Sequence, residues 1–185
     1  MHRKKLLALL ERYRKENPEE KQIIDRFIQF SSSHPECFER SLQEGHITGS
    51  AWMVDRSGTR VLLTHHRKMN RWQQLGGHTD GDPDVLNAVL REAEEESGIT
   101  GVALLSENIF DIDVHRIPAR GAEPDHLHYD VRFLVTAAGS EDYTVSDESY
   151  DLAWVEIEKI AEYTTEESML RMAGKWVKRR NAYKR

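Results

Sequence analysis

Cysteine is nearly absent from this sequence: Cys37 is the only one among 185 residues. A single cysteine excludes an internal disulfide and a metal site built from several thiolates. It is typical of proteins in a reducing compartment, so we expect a cytoplasmic location and no disulfide-linked partner. No other residue indicates thiol chemistry, and we interpret Cys37 as a small buried hydrophobic residue.

Long apolar runs and an excess of positive charge are absent as well. The chain begins with MHRKKLLALLERYRKEN, in which the apolar run LLALL has only five residues before charges return. Such a run is too short for the core of a signal peptide or for a membrane span, so we expect no membrane partner. The formal net charge of -6 argues against a protein that coats nucleic acid by neutralising phosphates.

Two N-terminal helices are predicted from apolar residues spaced three and four positions apart. Those of the first helix are Leu6, Leu9, Leu10 and Tyr13, and those of the second are Ile23, Ile24, Phe27, Ile28 and Phe30. Asn17 and Pro18 are predicted as the N-cap and first residue of the second helix. Helices this short bury too little surface to fold alone. Residues 1–44 are therefore predicted to be a helical extension that packs on the rest of the chain or on a second copy, which leaves a homodimer open.

From His46 onward the apolar period changes to two, which predicts strands. These segments are ITGSAWMV, RVLLTHH, WQQLGG, VALLSENIFDIDVHRI, HLHYDVRFLVTA and DLAWVEI. A helix is predicted from Asp82 as N-cap, with Pro83 at its first position and Gly98 as its end. Another helix is predicted from about Thr165. Residues 45–185 therefore form a mixed α/β domain in this interpretation.

The stretch LREAEEESGI, Leu90 to Ile99, is the most informative of the chain, because it crowds like charges on one predicted helix. On a helical wheel Glu92, Glu95 and Glu96 fall on one side, at the edge of the apolar stripe, while Glu94 points away. A solvated acidic face is the ordinary explanation for such a run, but it predicts carboxylates opposite the core. A hard divalent cation such as Mg²⁺ removes the conflict, since it binds carboxylate oxygens.

The stretch GGHTDGDPDVLNAVLREAEEESGI, Gly76 to Ile99, resembles the Nudix box of the Nudix (MutT-related) hydrolases. Aligned on Gly77, the residues in register are Arg91, Glu92, Ala93, Glu95, Glu96, Gly98 and Ile99. Pro83 stands where the family has its first glutamate, which supports the box arginine by an ion pair. Asp84 or Asp80 would then be the substitute partner of Arg91. The resemblance implies an α/β/α sandwich with a mixed β-sheet over about residues 46–165.

The resemblance also implies a reaction and a set of site residues. Nudix hydrolases cleave a nucleoside diphosphate linked to another group, by attack of water at phosphorus. Glu92, Glu95 and Glu96 would bind Mg²⁺, with Mn²⁺ as a substitute, and Gly76 and Gly77 would let the backbone approach the metal or the diphosphate. In several branches a further acidic residue comes from a loop outside the box, and we choose Glu148 over Asp147 as the general base. The alternatives are a base among Glu92, Glu95 and Glu96, with SDESYD as an ordinary turn rich in serine and aspartate.

Histidines outside the glutamate run are candidates for substrate binding. His126, His128 and Asp130 share one face of a strand, where they could line the substrate pocket or bind a second cation. His78, in the glycine loop, and His65 and His66 are similar candidates. Polar surface is the commoner reason for such histidines, and a zinc site is disfavoured because the box glutamates already describe an oxygen-ligand site. Trp52, Trp72 and Tyr129 are interpreted either as core residues or as platforms for a nucleobase.

Two functions therefore stand after the sequence analysis. The first is a metal-dependent Nudix pyrophosphohydrolase that acts on a small nucleotide. The second is a catalytically weak Nudix-fold module that senses or binds nucleotides, because fold does not fix function. The loss of glutamate at position 83 favours the second, and the intact set of Glu92, Glu95 and Glu96 favours the first more strongly.

Overall fold

The computed structural model describes residues 2–121 and 124–183. Its α-helices are α1 (Lys4–Glu16), α2 (Lys21–Ser33), α3 (Val85–Ser97) and α4 (Glu167–Tyr183). Its strands are β1 (Gly45–Val54), β2 (Arg60–His66), β3 (Arg71–Gln73), β4 (Leu75–His78), β5 (Val102–Leu104), β6 (Asp111–Ile117), β7 (His126–Ala137) and β8 (Ser149–Glu156). The predicted class, a mixed β-sheet with flanking helices preceded by N-terminal helices, is confirmed.

The hydrogen-bonded order of the strands is β3-β2-β1-β7-β5, with β4 paired to β1, β6 to β7 and β8 to β2. Strands β2 and β8 are antiparallel, and their register shifts between His65 and His66, so that His66 is opposite Ser149. Such an irregularity re-aims side chains at the end of a strand. The segment predicted as one strand from Val102 to Ile117 is two strands, because a turn lies between them in which Ser106 Oγ accepts the N–H of Asn108.

The chain divides into two compact units. Unit 1 consists of Met1–Ser50, Gly77–Val89 and Ser106–Phe133, and unit 2 consists of Ala51–Gly76, Leu90–Leu105 and Leu134–Arg185. The two units are groups of residues that pack together, each drawn from several parts of the chain. The boundary predicted after residue 44 is of another kind, because it separates a helical extension from the domain that resembles the family. That boundary stays a prediction.

In unit 1 the N-terminal helices bury their apolar stripe against the rest of the unit. The ring of Phe30 stacks on that of Tyr129 with centroids 3.8 Å apart, and Phe27 meets the same ring edge-on at 5.3 Å. Lys5 forms an ion pair with Asp84 at 2.6 Å. The extension was predicted to pack either on the rest of the chain or on a second copy, and these contacts show that it packs on the rest of the chain.

A buried polar network lies beside this core in unit 1. Arg132, 2% exposed, contacts the carboxylates of Asp130 at 2.7 Å, Asp111 at 3.2 Å and Asp113 at 3.5 Å. Asp130 also accepts hydrogen bonds from the hydroxyls of Thr48 and Ser50. A charged side chain that is buried away from water is stable only when it is paired and hydrogen-bonded in this way.

The core of unit 2 is formed by the apolar residues of β2 and β8 with α4. Its buried members include Leu62, Leu63, Leu152, Val155, Met169, Met172 and Trp176. Trp176 donates its indole N–H to the carbonyl of Gly58 at 2.9 Å, which anchors α4 on the β1–β2 turn. Within the described residues, none of the helices is long and apolar enough to cross a membrane.

The predicted starts of α2 and α3 need correction, whereas α4 begins at Glu167, close to the predicted Thr165. Helix α3 begins at Val85, and the Asp82 carboxylate accepts the N–H of Asp84, which makes a turn across Pro83 before the helix. Helix α2 begins at Lys21 after a 3₁₀ turn, and Asn17 provides no side-chain cap because its amide donates to the Tyr13 carbonyl. The end of α3 is as predicted, since Gly98 has a φ of 68° and donates its N–H to the Glu94 carbonyl.

Candidate active site

Glu96 is the most deeply buried of the box glutamates, at 6% exposure near the end of α3 in unit 2. Its Oε2 accepts the backbone N–H of Gly76 at 2.9 Å. Gly76 has a φ of 145°, a conformation that side chains disfavour, so a glycine there lets the backbone N–H face the carboxylate. The glycine predicted to approach a metal or diphosphate thus holds a carboxylate in place.

Burial raises the pKa of Glu96 to about 8, and the hydrogen bond from Gly76 opposes this only in part. The neighbouring carboxylates of Glu92 and Glu148 raise the pKa further, since each repels the anionic form. A perturbed carboxyl group among other carboxylates is typical of functional sites, because structural residues are seldom placed where their charges repel.

The four glutamates of α3 have different surroundings. Glu92 is half-buried and forms an ion pair with Arg91 at 3.1 Å, whereas Glu95 is exposed. Glu94 faces away from the others and accepts the N–H groups of Gly101 and Val102, which fixes the turn after the helix. Burial therefore separates Glu96 from Glu95, which the helical wheel had treated alike.

His66 and Glu148 come together with Glu96 in unit 2. One ligand atom from each of the three lies within 4.8 Å of the others. The Glu148 carbonyl accepts the N–H of Arg67, and this bond fixes the loop before β8 beside the end of β2. The choice of Glu148 over Asp147 is supported by this placement, although it stays a prediction.

The sequence analysis named His66 only as a candidate similar to His78, and the structure indicates how its ring is held. Its Nδ1 accepts the backbone N–H of Lys68 at 3.1 Å, so in the neutral ring the proton is on Nε2. Burial lowers the pKa of His66, Glu148 raises it, and Lys68 and Arg71 lower it, so the neutral form is favoured. The only sequence signal was the HH pair at the end of a predicted strand.

Arg91 has a carboxylate partner that the sequence analysis did not consider, and its pairing with Asp84 or Asp80 stays a prediction. Arg91 pairs with Glu92, while Asp84 pairs with Lys5 at 2.6 Å and Asp80 lies 3.7 Å from Arg40. Arg91 therefore has a carboxylate partner within the box itself.

The histidines predicted to bind substrate belong to unit 1. His78, at the end of β4, and His126 and His128, on β7, gather there with His46 of β1. The sequence analysis missed His46. Its signal was the alternation His46, Thr48, Ser50 on β1, which matches the alternation His126, His128, Asp130 on β7.

The aromatic residues divide between core and surface. Trp52 is fully buried and Tyr129 stacks on Phe30, so both are core residues. In unit 2 Trp72 stacks on His65 at 5.1 Å, and His65 in turn contacts Tyr150, which is 57% exposed. The guanidinium of Arg67 lies 5.4 Å from the centre of the Tyr150 ring.

An open cleft of about 540 Å³ lies elsewhere in unit 2, at the turn between β1 and β2. Arg60 in this cleft is paired with Asp55 and Glu141. The residues that line the cleft do not include those of the glutamate cluster. We therefore do not assign it to the reaction.

The family model of the NUDIX domain matches residues 46–173 of this chain. No curated protein sequence matches. Among solved structures, an Ap4A hydrolase from C. elegans, in a binary complex, is 19% identical with a TM-score of 0.60, covering 74% of this chain and 98% of its own.

Two further structures have the same fold. A NUDIX family hydrolase from Clostridium perfringens is 23% identical with a TM-score of 0.51, covering 71% of this chain and 95% of its own. A MutT protein from Methanosarcina mazei Go1 is 20% identical with a TM-score of 0.55, covering 75% and 97%. Since the domain match spans most of the chain and contains the glutamate helix and its glycine loop, this protein belongs to the Nudix family and is a Nudix pyrophosphohydrolase.

Proposed function

We propose that this enzyme cleaves the pyrophosphate bond of a nucleoside diphosphate linked to another group, with Mg²⁺ as its cofactor and Mn²⁺ as a substitute. The observation that carries the proposal is Glu96, a buried carboxyl group held by the N–H of Gly76 beside Glu92 and Glu148. Neutralising two phosphoryl groups and directing water at phosphorus is what such a reaction requires.

The donor set fits a hard divalent cation. Carboxylate oxygens of Glu92, Glu95 and Glu96 are the ligands that Mg²⁺ prefers, and a cation would offset the repulsion that raises the pKa of Glu96. When bound, the cation would neutralise phosphate charge and lower the pKa of a bound water. His66, with its proton on Nε2, is better suited to donate a hydrogen bond to a carboxylate than to serve as a ligand.

Exposed residues of unit 2 that lie on the glutamate helix or near Glu148 have separate roles in the proposed reaction. Glu148 can accept the proton of the attacking water, because its carboxylate is exposed yet lies with Glu96. Arg91 orients Glu92 through their ion pair. Tyr150 offers an exposed ring beside Arg67, a combination suited to a nucleobase and a phosphate of the substrate.

A nucleotide-sensing or binding module is the second candidate, and Pro83 is the observation in its favour. The two candidates differ in what Pro83→Glu should do. For an enzyme, the substitution is tolerated without a large gain, because Pro83 lies before α3 and Arg91 already pairs with Glu92. A large gain in rate would indicate that the natural protein is catalytically weak.

The decisive experiment is a hydrolysis screen with Mg²⁺ and with Mn²⁺. The substrates are nucleotide sugars, dinucleoside polyphosphates, ADP-ribose, NADH and nucleoside triphosphates. We expect turnover of one class by the wild type and its loss in Glu96→Gln. Turnover of none, together with tight binding of one of them, would replace the enzyme proposal by the binding module.

Three further properties are proposed with this function. Gly77 is proposed to contribute to substrate binding, and His78, His126 and His128 stay candidates for the same role as an alternative to binding a metal ion, which KM values of their variants would test. A homodimer is proposed as the alternative to a monomer, and light scattering of the purified chain decides between them. A cytoplasmic location is proposed because of the lone cysteine, and cell fractionation would test it.

A further inference from the structure

Four histidines of unit 1 converge from three strands. The ring centroid of His46 lies 5.0 Å from that of His78, 4.9 Å from that of His126 and 4.8 Å from that of His128. One ring nitrogen each from His46, His78 and His128 lies within 4.8 Å of the other two. Histidines that serve only as polar surface would not share one point in this way.

The cluster is largely withdrawn from water. His46 is 1% exposed and His126 is 6% exposed, whereas His78 and His128 are half-buried. Burying several imidazoles together is costly, because each ring has two polar nitrogens that prefer water. A role that needs several ring nitrogens at one point would account for the arrangement.

The geometry of His126 and His128 matches that of neighbouring metal ligands. Their Nε2 atoms are 3.2 Å apart. In a tetrahedral zinc site with Zn–N bonds of about 2.0–2.1 Å, adjacent nitrogens are about 3.3 Å apart. The Nδ1 of His126 lies 2.9 Å from the carbonyl of Pro124, and donating its proton there leaves the lone pair on Nε2. A backbone carbonyl that fixes the ring of a ligand in this way is a regular feature of zinc sites.

The charge state of the rings is compatible with such a role. Burial lowers the pKa of His78 to about 4, with Arg40 and His46 acting in the same direction and Asp80 against it. Burial lowers the pKa of His128 to about 2, and the neighbouring rings lower it further; these are His78, His46, His115 and His126. Neutral imidazoles offer lone pairs, which a transition-metal ion accepts and which Mg²⁺ does not favour.

We propose that His46, His78 and His128 bind a transition-metal ion, Zn²⁺ in preference to Mg²⁺, with the ring of His126 beside them at 3.2 Å from His128 Nε2. The site would draw β1, β4 and β7 together, as a zinc ion does in a structural role. Its nitrogen ligands distinguish it from the carboxylates of Glu92, Glu95 and Glu96, which take a hard cation.

The test is a Zn²⁺ titration of the chelator-stripped full-length protein in saturating Mg²⁺, followed by calorimetry and by elemental analysis after dialysis. We expect one Zn²⁺ per chain that Mg²⁺ does not displace. The variants His46→Ala and His128→Ala should weaken binding at least about tenfold, since each loses a ligand. His34→Ala is the matched control, because this histidine packs on Phe30 outside the cluster, and it should bind as the wild type does.

A parallel Zn²⁺ titration of Glu96→Gln separates the histidine site from the proposed hydrolase site, because this variant changes a proposed Mg²⁺ ligand and leaves the histidines unchanged. Retention of Zn²⁺ by Glu96→Gln supports the histidine site, and its loss there overturns the assignment. If the histidine variants do not fold by circular dichroism, X-ray absorption of the Zn²⁺-loaded wild type decides. Imidazole nitrogens around the ion support the proposal, whereas an oxygen-only shell, or no retained Zn²⁺, overturns it.

Discussion

The backbone N–H of Gly76 donates to Oε2 of Glu96 at 2.9 Å, so the glycine loop and the glutamate helix are joined directly at the candidate site. This bond is one reason that a buried carboxyl group repelled by Glu92 and Glu148 stays in place. It also makes Glu96 the residue on which the first prediction rests.

Glu96→Gln should lower turnover by about a hundredfold or more, because the amide keeps the Gly76 hydrogen bond but loses the ligand charge. Without metal and above about pH 8, where the Glu96 carboxylate is ionised, its melting temperature should equal or exceed that of the wild type, since repulsion is relieved. Glu94→Gln is the control on the same helix, because Glu94 accepts the N–H groups of Gly101 and Val102 instead. Near-normal turnover of Glu96→Gln at saturating Mg²⁺ would remove Glu96 from the metal site.

Glu148→Gln should lower turnover strongly while nearly preserving KM, and should remove the acidic limb of the pH–rate profile, as loss of a general base does. Asp147→Asn is the matched control in the same loop and should keep both. The measurement is the pH dependence of kcat at saturating Mg²⁺. Identical profiles for both variants and the wild type would place the base elsewhere.

Arg132→Met should destabilise the fold by about 3–5 kcal/mol, because it leaves the buried carboxylates of Asp111 and Asp130 without their cation. Arg116→Met is the control on β6, where the pair with Asp125 is largely exposed and contributes less than about 1 kcal/mol. Urea denaturation measures the free energy of unfolding of each variant. Equal free energies of unfolding would mean that the buried network adds no more than a surface pair.

Asp55 gives a pH prediction in unit 2. Burial raises its pKa, but hydrogen bonds from Ser57 and from the N–H groups of Thr59 and Arg60, with the Arg60 side chain, outweigh this and lower it below 3.8. The folded pKa is therefore below the unfolded one. The stabilisation is present above the unfolded pKa and is lost as pH falls through the folded value.

Asp55→Asn should accordingly lose about 1–3 kcal/mol near neutral pH, since a hydrogen-bonded charge is removed from a buried position. The difference from the wild type should shrink under acid, because the wild-type carboxylate is then protonated too. Denaturation curves from neutral to low pH measure both. A difference independent of pH would mean that the charge of Asp55 does not stabilise the turn.

Deletion of residues 1–44 should cause aggregation, because it exposes the ring of Tyr129 that Phe27 and Phe30 cover. Phe27→Ala in the full chain should cost about 3–5 kcal/mol, as truncation of a buried phenylalanine does. Light scattering and thermal unfolding are the measurements. A soluble, monomeric and fully active deletion product would contradict the packing of this extension.

The sequence alone determined the elements and the box. Periodicity placed α1, α2 and most strands, and the spacing from Gly77 to Ile99 identified the family, because these signals are local along the chain. Helix starts were missed by a few residues, since Asp82 forms a turn across Pro83 and Asn17 bonds backward to Tyr13. A local pattern does not distinguish between such turns and a cap.

Tertiary structure decided which of these residues act together. The sequence ranked Glu92, Glu95 and Glu96 alike, and only packing buried Glu96 and placed the distant His66 and Glu148 beside it. His46 received no role until β1 brought it to His78 and His128. Periodicity reports the face on which a side chain lies, but strand pairing and burial determine its neighbours, its pKa and therefore its chemistry.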